Sequence, residues 1–557
     1  MKTHHRVLVI GLDGVPLDII QTWADAGHLP VLQKLMDSGA VGRLKSTMPP
    51  TSGPSWSSFA TGKNPGKTGI YDFLHRRQGT YRFPPISTRH RHGKAIWALL
   101  SEAGKTVGVL NVPVSYPVEP VNGFMISGFM TPYSARDFVY PPGLLSEIKD
   151  EVGAYHIYPT TTFSQAHADD FFRACDQLLD LRTRTTLRLI AHYDWDFFIT
   201  VFFDTDRILH QLWHYLDPTH PWRRDDADVD NSWPVQRYFQ RLDESIGRIL
   251  ERVDDDTTVI VLSDHGMGPA HNFVVLNNWL AEVGLLYFKR DPVTWLKRQM
   301  FRAGLTLKNV HKLVDRLGLA RHAEYKALYS VDGLLKRLFL SFLNVDWSRT
   351  RAYSFGRHTG PIYVNLKGRE PRGIVEPGRE YEAVRQEIAE LAQGFRDPRT
   401  GRPIIGRVLR REELYNGPHF DQAPDLTLLP AQETDIFFGL ADFGDNQVVG
   451  PVYRYSGMHR DDGLLIMHGK NIQPGTQIEG AVIWDVAPTI LYTMGVEVPQ
   501  DMDGQVLQAV FKNYDPSRLV FSDYGHSLGE KADTDAGYSP ADEREIVERL
   551  KDLGYLG

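Results

Sequence analysis

Val7-Leu8-Val9-Ile10-Gly11-Leu12-Asp13-Gly14 is the stretch from which the fold is read. Four apolar, β-prone residues run together, and the run breaks on Gly, Asp and Gly. A run apolar on both faces suits a parallel strand covered by helices on both sides. Asp13 then stands at the carboxyl end of that strand, where ligands gather in parallel sheets. It could equally cap a helix near residues 16–27. Similar runs occur at Thr106 to Leu110, Phe197 to Phe203 and Thr258 to Leu262, each followed by a helical pattern. Strand alternating with helix predicts an α/β fold with a doubly wound, mostly parallel sheet.

Two stretches break this rhythm. Residues 285–350 carry Trp295, Leu296, Met300, Leu313, Val314 and Leu317 at helical spacing. Residues 366–432 are rich in Gly, Pro and charge around one helix near 380–394. The expected organisation is therefore a core of residues 1–284 and 433–512. A helical insertion at 285–350 forms a lid or cover, and 351–432 holds a core strand and a small α+β insertion. A tail at 513–557 ends in a helix that Ser539 can cap, with Pro540 in its first turn and Gly554 stopping it.

The 557 residues suffice for one large core with insertions or for several domains. A net charge of −7 argues against a broadly basic nucleic-acid binder. One cysteine, Cys175, excludes a disulfide framework or a cysteine metal site within the chain, so any metal must be held by His and carboxylate. No apolar run is long enough to span a membrane, and the first strand is too short for a signal peptide. The expected location is the cytoplasm.

Three more segments follow or neighbour strands. In Phe202-Phe203-Asp204-Thr205-Asp206-Arg207-Ile208-Leu209-His210, Asp206 and His210 are i and i+4 and share one helical face, a chelating geometry. The plainer reading is a capping Asp with a surface His; His214, one turn on, is a weaker candidate. In Ser263-Asp264-His265-Gly266-Met267-Gly268, adjacent Asp and His side chains diverge and can serve two neighbouring metals. His459, in Ser456-Gly457-Met458-His459, sits in a loop before the strand Gly463 to Met467; a lone loop His is usually a surface residue. Three carboxylates and three imidazoles suffice for two divalent sites with open positions. Without thiolate they suit zinc first, then manganese or iron. The hydroxyl-rich stretch Pro50-Thr51-Ser52-Gly53-Pro54-Ser55-Trp56-Ser57-Ser58 runs from a loop into a helix. A hydroxyl there meets backbone N–H groups and the positive end of the helix dipole, although simple N-capping would explain it too.

The order Asp-Gly, hydroxyl-x-Pro before a helix, Asp-x-x-x-His, Asp-His-Gly and a late His resembles the alkaline phosphatase superfamily. The nearest branch is that of type I phosphodiesterases and nucleotide pyrophosphatases. Within it the chain is similar to a prokaryotic group of predicted phosphohydrolases or phosphomutases. That nearer likeness rests on Pro54-Ser55-Trp56, Thr61-Gly62-Lys63-Asn64-Pro65-Gly66-Lys67 and Asn111-Val112-Pro113. It extends to Gly368-Arg369-Glu370-Pro371, Ala423-Pro424-Asp425 and Asp501-Met502-Asp503-Gly504. The resemblance implies a metal-dependent hydrolase of small phosphoric esters with a covalent phosphoseryl intermediate. It implies two metal sites: Asp206, His210 and His459; and Asp13, Asp264 and His265 with the nucleophile oxygen. The phosphodiesterase nucleophile is a Thr two residues before Pro. Here that place holds Ser52, which is preferred over Thr51. Ser55 stands where the branch has a phosphoryl-donating Asn and could donate one hydrogen bond.

Three other functions compete. A sulfatase needs an Arg after the nucleophile loop, which Ser52-Gly53-Pro54-Ser55-Trp56 lacks. A cofactor-independent phosphomutase shares the metal logic, but its large insertion follows the nucleophile closely. A non-catalytic, metal-stabilised binding protein would explain the ligands but not Ser52. The insertion adds a further question. From Lys289 to Arg337 twelve Lys or Arg stand against four Asp or Glu. That excess fits solvated cover helices, a lid drawing in anionic substrate, or peripheral contact with anionic membrane.

Overall fold

The computed structural model describes residues 5–161, 163, 168–223, 233–316, 339–439, 443–453, 455–523 and 537–552. Its central sheet has nine strands. In chain order they are β1 (Val7–Leu12), β2 (Ala40–Lys45), β3 (Val107–Leu110), β4 (Gly123–Ile126), β5 (Val139–Tyr140), β6 (Phe197–Phe202) and β7 (Thr258–Leu262), followed by β10 (Asp462–His468) and β11 (Thr476–Ile478). Between them in sequence lie β8 (Gly266–Pro269) and β9 (Gly457–Arg460), which pair with each other as a separate ribbon. Across the sheet the order is β11-β2-β10-β7-β1-β6-β3-β4-β5. The run β7-β1-β6-β3-β4 is parallel throughout, and β5 and β10 join it antiparallel. The fold is α/β with a mostly parallel sheet, as the strand–helix alternation predicts.

The side-chain alternation shows why these runs are apolar at almost every position. Val7 and Val9 enter the core on one side of the sheet, and Leu8, Ile10 and Leu12 enter the core on the other. Phe197, Ile199 and Val201 share the first side, with Phe198 and Phe202 on the second. Successive residues of a strand face opposite sides, so a strand covered twice carries a polar position only where it finds a partner, as Thr200 Oγ1 does with Thr186 Oγ1 at 3.1 Å. Strand β6 ends one residue earlier than the sequence suggests, because Phe203 already has helical dihedrals.

β1 lies between β6 and β7, with Gly11 level with both Val201 and Leu262. Three segments far apart in sequence therefore end at one point of the sheet. Asp13, Asp206, Asp264 and His265 all stand just beyond those ends. Helix α1 (Leu17–Asp25) has Pro16 at its N-cap with no side-chain cap bond, so Asp13 is not its cap. Helices α2 (Ser52–Thr61) and α3 (Asp204–Leu212) pack at the same end.

Two pairs of the sequence motifs turn out to be clamps. Lys63 pairs with Asp501, Lys67 Nζ with Asp503 Oδ1 at 2.7 Å, and the Asn64 amides with Asp503 Oδ2 at 2.8 Å. In the second clamp the Arg369 guanidinium donates to both oxygens of the buried Asp425, at 2.7 and 2.6 Å. Tyr381 Oη, on α6 (Arg379–Gln393), donates to the same carboxylate at 2.6 Å. Burial alone would raise the Asp425 pKa, but Arg369 and Tyr381 outweigh it and hold it at about 2. Asp425 therefore contributes stability above its unfolded-state value of 3.8, and loses it as pH falls toward about 2. Arg369→Met should lower the unfolding free energy in urea by about 3–5 kcal/mol at neutral pH, since it strands a buried carboxylate. It should also flatten the loss of stability between pH 4 and 2.

The second half adds two four-stranded sheets. One joins Ala352–Ser354, Gly360–Val364, Leu426–Pro430 and Ile405–Arg410. The other joins Gly356–His358, Asp435–Gly439, Asn272–Val275 and Val449–Pro451. In the basic segment, α4 (Pro292–Arg302) is capped by Asp291, whose carboxylate accepts from Thr294 N at 2.9 Å, and α5 (Leu307–Arg316) follows it. Leu317 lies outside the described residues. The final helix, α7 (Pro540–Asp552), begins where Ser539 Oγ accepts from Asp542 N at 3.2 Å. Gly554 lies outside the described residues. Among the described residues no helix is long and apolar enough to cross a membrane.

Candidate active site

The six ligand candidates fall into two groups. Asp206, His210 and His459 present ligand atoms within 4.8 Å of one another, and so do Asp13, Asp264 and His265. All six side chains are buried. Asp206 Oδ1 lies 3.3 Å from His210 Nε2 and 3.2 Å from His459 Nε2. His265 Nε2 lies 3.6 Å from Asp13 Oδ1 and 3.4 Å from Asp264 Oδ2. His210 is thus no surface residue. His459 is not in a loop: it lies on β9, opposite Met267 of β8. A two-stranded ribbon this short leaves no hydrophobic alternation for the sequence to display. His214 points elsewhere, with Nδ1 3.0 Å from Ser456 Oγ.

Close backbone approach sets these positions. Gly14 has φ +71°, and a Cβ there would stand 2.9 Å from Asp206 Oδ1. A Cβ on Gly457 would stand 2.3 Å from Leu209 O, so only glycine lets β9 lie against α3 and bring His459 to His210. Gly14 N also donates to Asp264 Oδ1 at 3.2 Å, tying the loops after β1 and β7.

The donor chemistry fits cations. Nδ1 of His210, His459 and His265 each meets a backbone carbonyl, Gly457 O at 2.8 Å, Pro50 O at 2.8 Å and Gly266 O at 3.0 Å. A carbonyl only accepts, so each Nδ1 carries a proton and each ring turns its Nε2 into the site. His210 Nε2 and His459 Nε2 then face each other at 2.8 Å. Two lone pairs so close repel unless a cation lies between them. Burial, followed by the nearby imidazoles of His265 and His210, holds the His459 pKa well below the ordinary imidazole value. Burial also lowers that of His210, against the pull of Asp206. Asp13 and Asp264 are pushed up, first by burial and then by neighbouring carboxylates. Asp264 Oδ2 is buried without a hydrogen-bond partner. A divalent ion would satisfy the lone pairs and reverse the carboxylate repulsion.

Ser52 opens α2 with its Oγ 3.2 Å from Asp13 Oδ1 and 3.2 Å from His265 Nε2. Thr51 is the N-cap, makes no cap bond, and its buried Oγ1 has no hydrogen-bond partner. Ser55 faces away from this cluster, with Oγ 2.7 Å from Ser46 Oγ and 2.9 Å from Thr47 Oγ1. The Ser46 and Thr47 protons go to Asp264 O and Pro49 O, so the single Ser55 proton is directed at those two oxygens. Ser55 can donate to a phosphoryl group only after its hydroxyl rotates.

The sequence reading missed two residues. Trp56 Nε1 donates to Asp13 Oδ2 at 2.7 Å. It is i+4 from Ser52, and that shared helix face was a usable signal. His358 stacks on His459 with centroids 4.0 Å apart, at φ +68°, from a sheet the sequence did not connect to the site. Its Nδ1 is buried without a hydrogen-bond partner.

Residues 7–442 match the sequence profile of the type I phosphodiesterase / nucleotide pyrophosphatase family. The chain belongs to this family. Its members are metal-dependent, and this phosphodiesterase-family enzyme is a hydrolase of phosphoric esters with two candidate metal-binding groups. No curated protein matches it in sequence. Among solved structures, it is similar to phosphonoacetate hydrolase from Sinorhizobium meliloti 1021 in complex with phosphonoacetate. That match has 14% identity and a TM-score of 0.51, covering 88% of this chain and 95% of the other. It is also similar to human ectonucleotide pyrophosphatase / phosphodiesterase 5, at 11% identity and a TM-score of 0.51, covering 91% and 100%. At such identities these two likenesses speak for the alkaline phosphatase type of fold.

Trp56→Phe keeps the ring and removes the bond to Asp13. In this phosphodiesterase-family enzyme it should weaken metal binding about 10–100-fold, with the thermal unfolding of the metal-free chain little changed. Equilibrium dialysis against zinc or manganese checks this; unaltered affinity would mean that Trp56 only fills space.

Proposed function

We propose that the chain hydrolyses small phosphoric esters through a covalent intermediate on Ser52, at a site for two divalent metals. The observation that carries this reading is Ser52 Oγ, 3.2 Å from both Asp13 and His265 at the first turn of α2. Asp206, His210 and His459 would hold one ion; Asp13, Asp264 and His265 would hold the other beside Ser52. Zinc suits three carboxylates and three imidazoles best, manganese or iron next. Bound there, the ions would acidify the Ser52 hydroxyl and neutralise phosphoryl oxygens. Ser52 Oγ forms the new bond to phosphorus while the ester oxygen leaves with its electron pair. Water then cleaves the Ser52 ester and restores the hydroxyl. The first-turn N–H groups of α2 point at the charge that develops. Trp56 fixes Asp13 throughout. With a net charge of −7, a small-molecule ester is the proposed substrate rather than nucleic acid. One buried cysteine asks for no oxidising compartment, and the proposed location is the cytoplasm.

The test is an acid quench during turnover of bis(p-nitrophenyl) phosphate or p-nitrophenyl phosphate with zinc or manganese, read by peptide mass spectrometry. The expected product is a phosphorylated species on the peptide holding Ser52. Turnover with that peptide unmodified at every quench time, under conditions that trap a known phosphoseryl enzyme, would reject the covalent step. Release of the group to water separates a hydrolase from a phosphomutase, which would return it to a second hydroxyl of its substrate.

A further inference from the structure

We infer that α4 and the pocket at its N-terminus form a docking surface for an anionic lipid bilayer. Val293, Trp295 and Leu296 are 62%, 60% and 54% exposed. At 100° per residue they span one arc, with Leu296 at its centre and the buried Thr294 facing roughly the other way. Leu343, 80% exposed, lies near the N-terminal end of α4, where Lys289 Nζ donates to its carbonyl at 2.7 Å. Isolated exposed apolar residues are ordinary, but three on one helix face, one of them Trp, mark a contact surface.

The charge around that face selects the partner. An open pocket of about 500 Å³ is lined by Lys289, Arg290, Asp291, Asp346 and Arg349. Asp291 spends its carboxylate on the α4 cap, and Arg349 lies over the Tyr287 ring at 4.3 Å. Between residues 289 and 316, eight Lys or Arg stand against two Asp, in a chain whose net charge is −7. Three of these cations do not reach outward, Lys308 being buried in a pair with Asp445. Lys297 Nζ donates to Phe339 O at 3.3 Å and Arg298 lies over the Phe288 ring at 5.0 Å, so they anchor α4 to the body. Arg290 and Arg302 remain exposed beside the apolar arc. A helix with a Trp-containing apolar face and a basic rim lies in the plane of a membrane interface. Its apolar arc enters the headgroup boundary while the rim meets anionic headgroups. A soluble anionic substrate would have no use for the exposed Trp295 and Leu296.

The experiment is co-sedimentation of the full chain with vesicles of phosphatidylglycerol and phosphatidylcholine, and with pure phosphatidylcholine. Binding to the anionic vesicles at low salt, declining as salt rises, is expected. Arg290→Gln with Arg302→Gln should weaken it about 25-fold, at about fivefold per charge. Trp295→Ser with Leu296→Ser should weaken it tenfold or more. Both double variants should keep the parent's unfolding curve and its hydrolysis of soluble ester. Absence of binding at low salt would overturn the inference, as would equal binding to neutral vesicles. Loss in the arginine variant with full binding in the Trp295/Leu296 variant would reduce the contact to charge adsorption and overturn the insertion of α4.

Discussion

Ser52→Ala is expected to lower turnover by roughly 10³-fold or more, with the fold and metal content unchanged, because the attacking oxygen is gone. The neighbouring hydroxyl provides the control. Thr51 is also buried at the start of α2, but its Oγ1 makes no hydrogen bond, whereas Ser52 Oγ meets Asp13 and His265. Thr51→Ala should therefore stay within about tenfold of the parent. Steady-state kinetics with metal added in excess, together with metal analysis of both variants, decides between them. A dead Thr51→Ala beside an active Ser52→Ala would move the nucleophile by one residue.

The parts of the site that could be read in the sequence are those attached to a strand end. Asp13, Asp206, Asp264 and His265 each follow a run so apolar that only a doubly covered parallel strand explains it. The sheet rule then places them together before any contact is known. His459 was not legible in that way. It sits on a four-residue ribbon strand whose partner, β8, is itself short and glycine-rich, and only resemblance to a family pointed to it. The chain-distant contacts were illegible for the same reason. Nothing near Gly457 says that it must admit Leu209 O, and nothing near His358 says that it will stack on His459. Charge did not decide between the readings of the basic segment. The basic excess of this segment left solvated cover helices, an attracting lid and membrane contact all open, and in the structure Lys297 and Arg298 turn inward while Trp295 and Leu296 face out. Long aliphatic stems let cations lie along a protein body, so a charge pattern alone does not tell which side of a helix is wet.

Asp264→Asn should change the metal-bound and metal-free protein in opposite directions. In the parent, Asp264 shares a dry site with Asp13 and Asp206; repulsion from Asp206 adds to the desolvation that raises its pKa, and Asp264 in turn raises that of Asp13. Asn keeps the shape of the side chain and its acceptor for Gly14 N, but removes one of these buried negative charges. The metal-free variant should thus unfold at a temperature equal to or above that of the metal-free parent, since a like-charge contact has been relieved. With zinc or manganese present the order reverses. A ligand that binds only the folded chain stabilises it by an amount that grows with the logarithm of its concentration over Kd. Asn offers a weaker, neutral oxygen, so occupancy should fall at least tenfold and the metal-induced rise in Tm should shrink with it. Turnover should fall with occupancy and recover in part at high metal. Calorimetric scans of parent and variant, each with chelator and with metal, read all four states. Were the variant less stable than the parent in chelator, Asp264 would be a structural carboxylate whose charge the fold needs. The repulsion that argues for a cation between Asp13, Asp264 and His265 would then have to be abandoned.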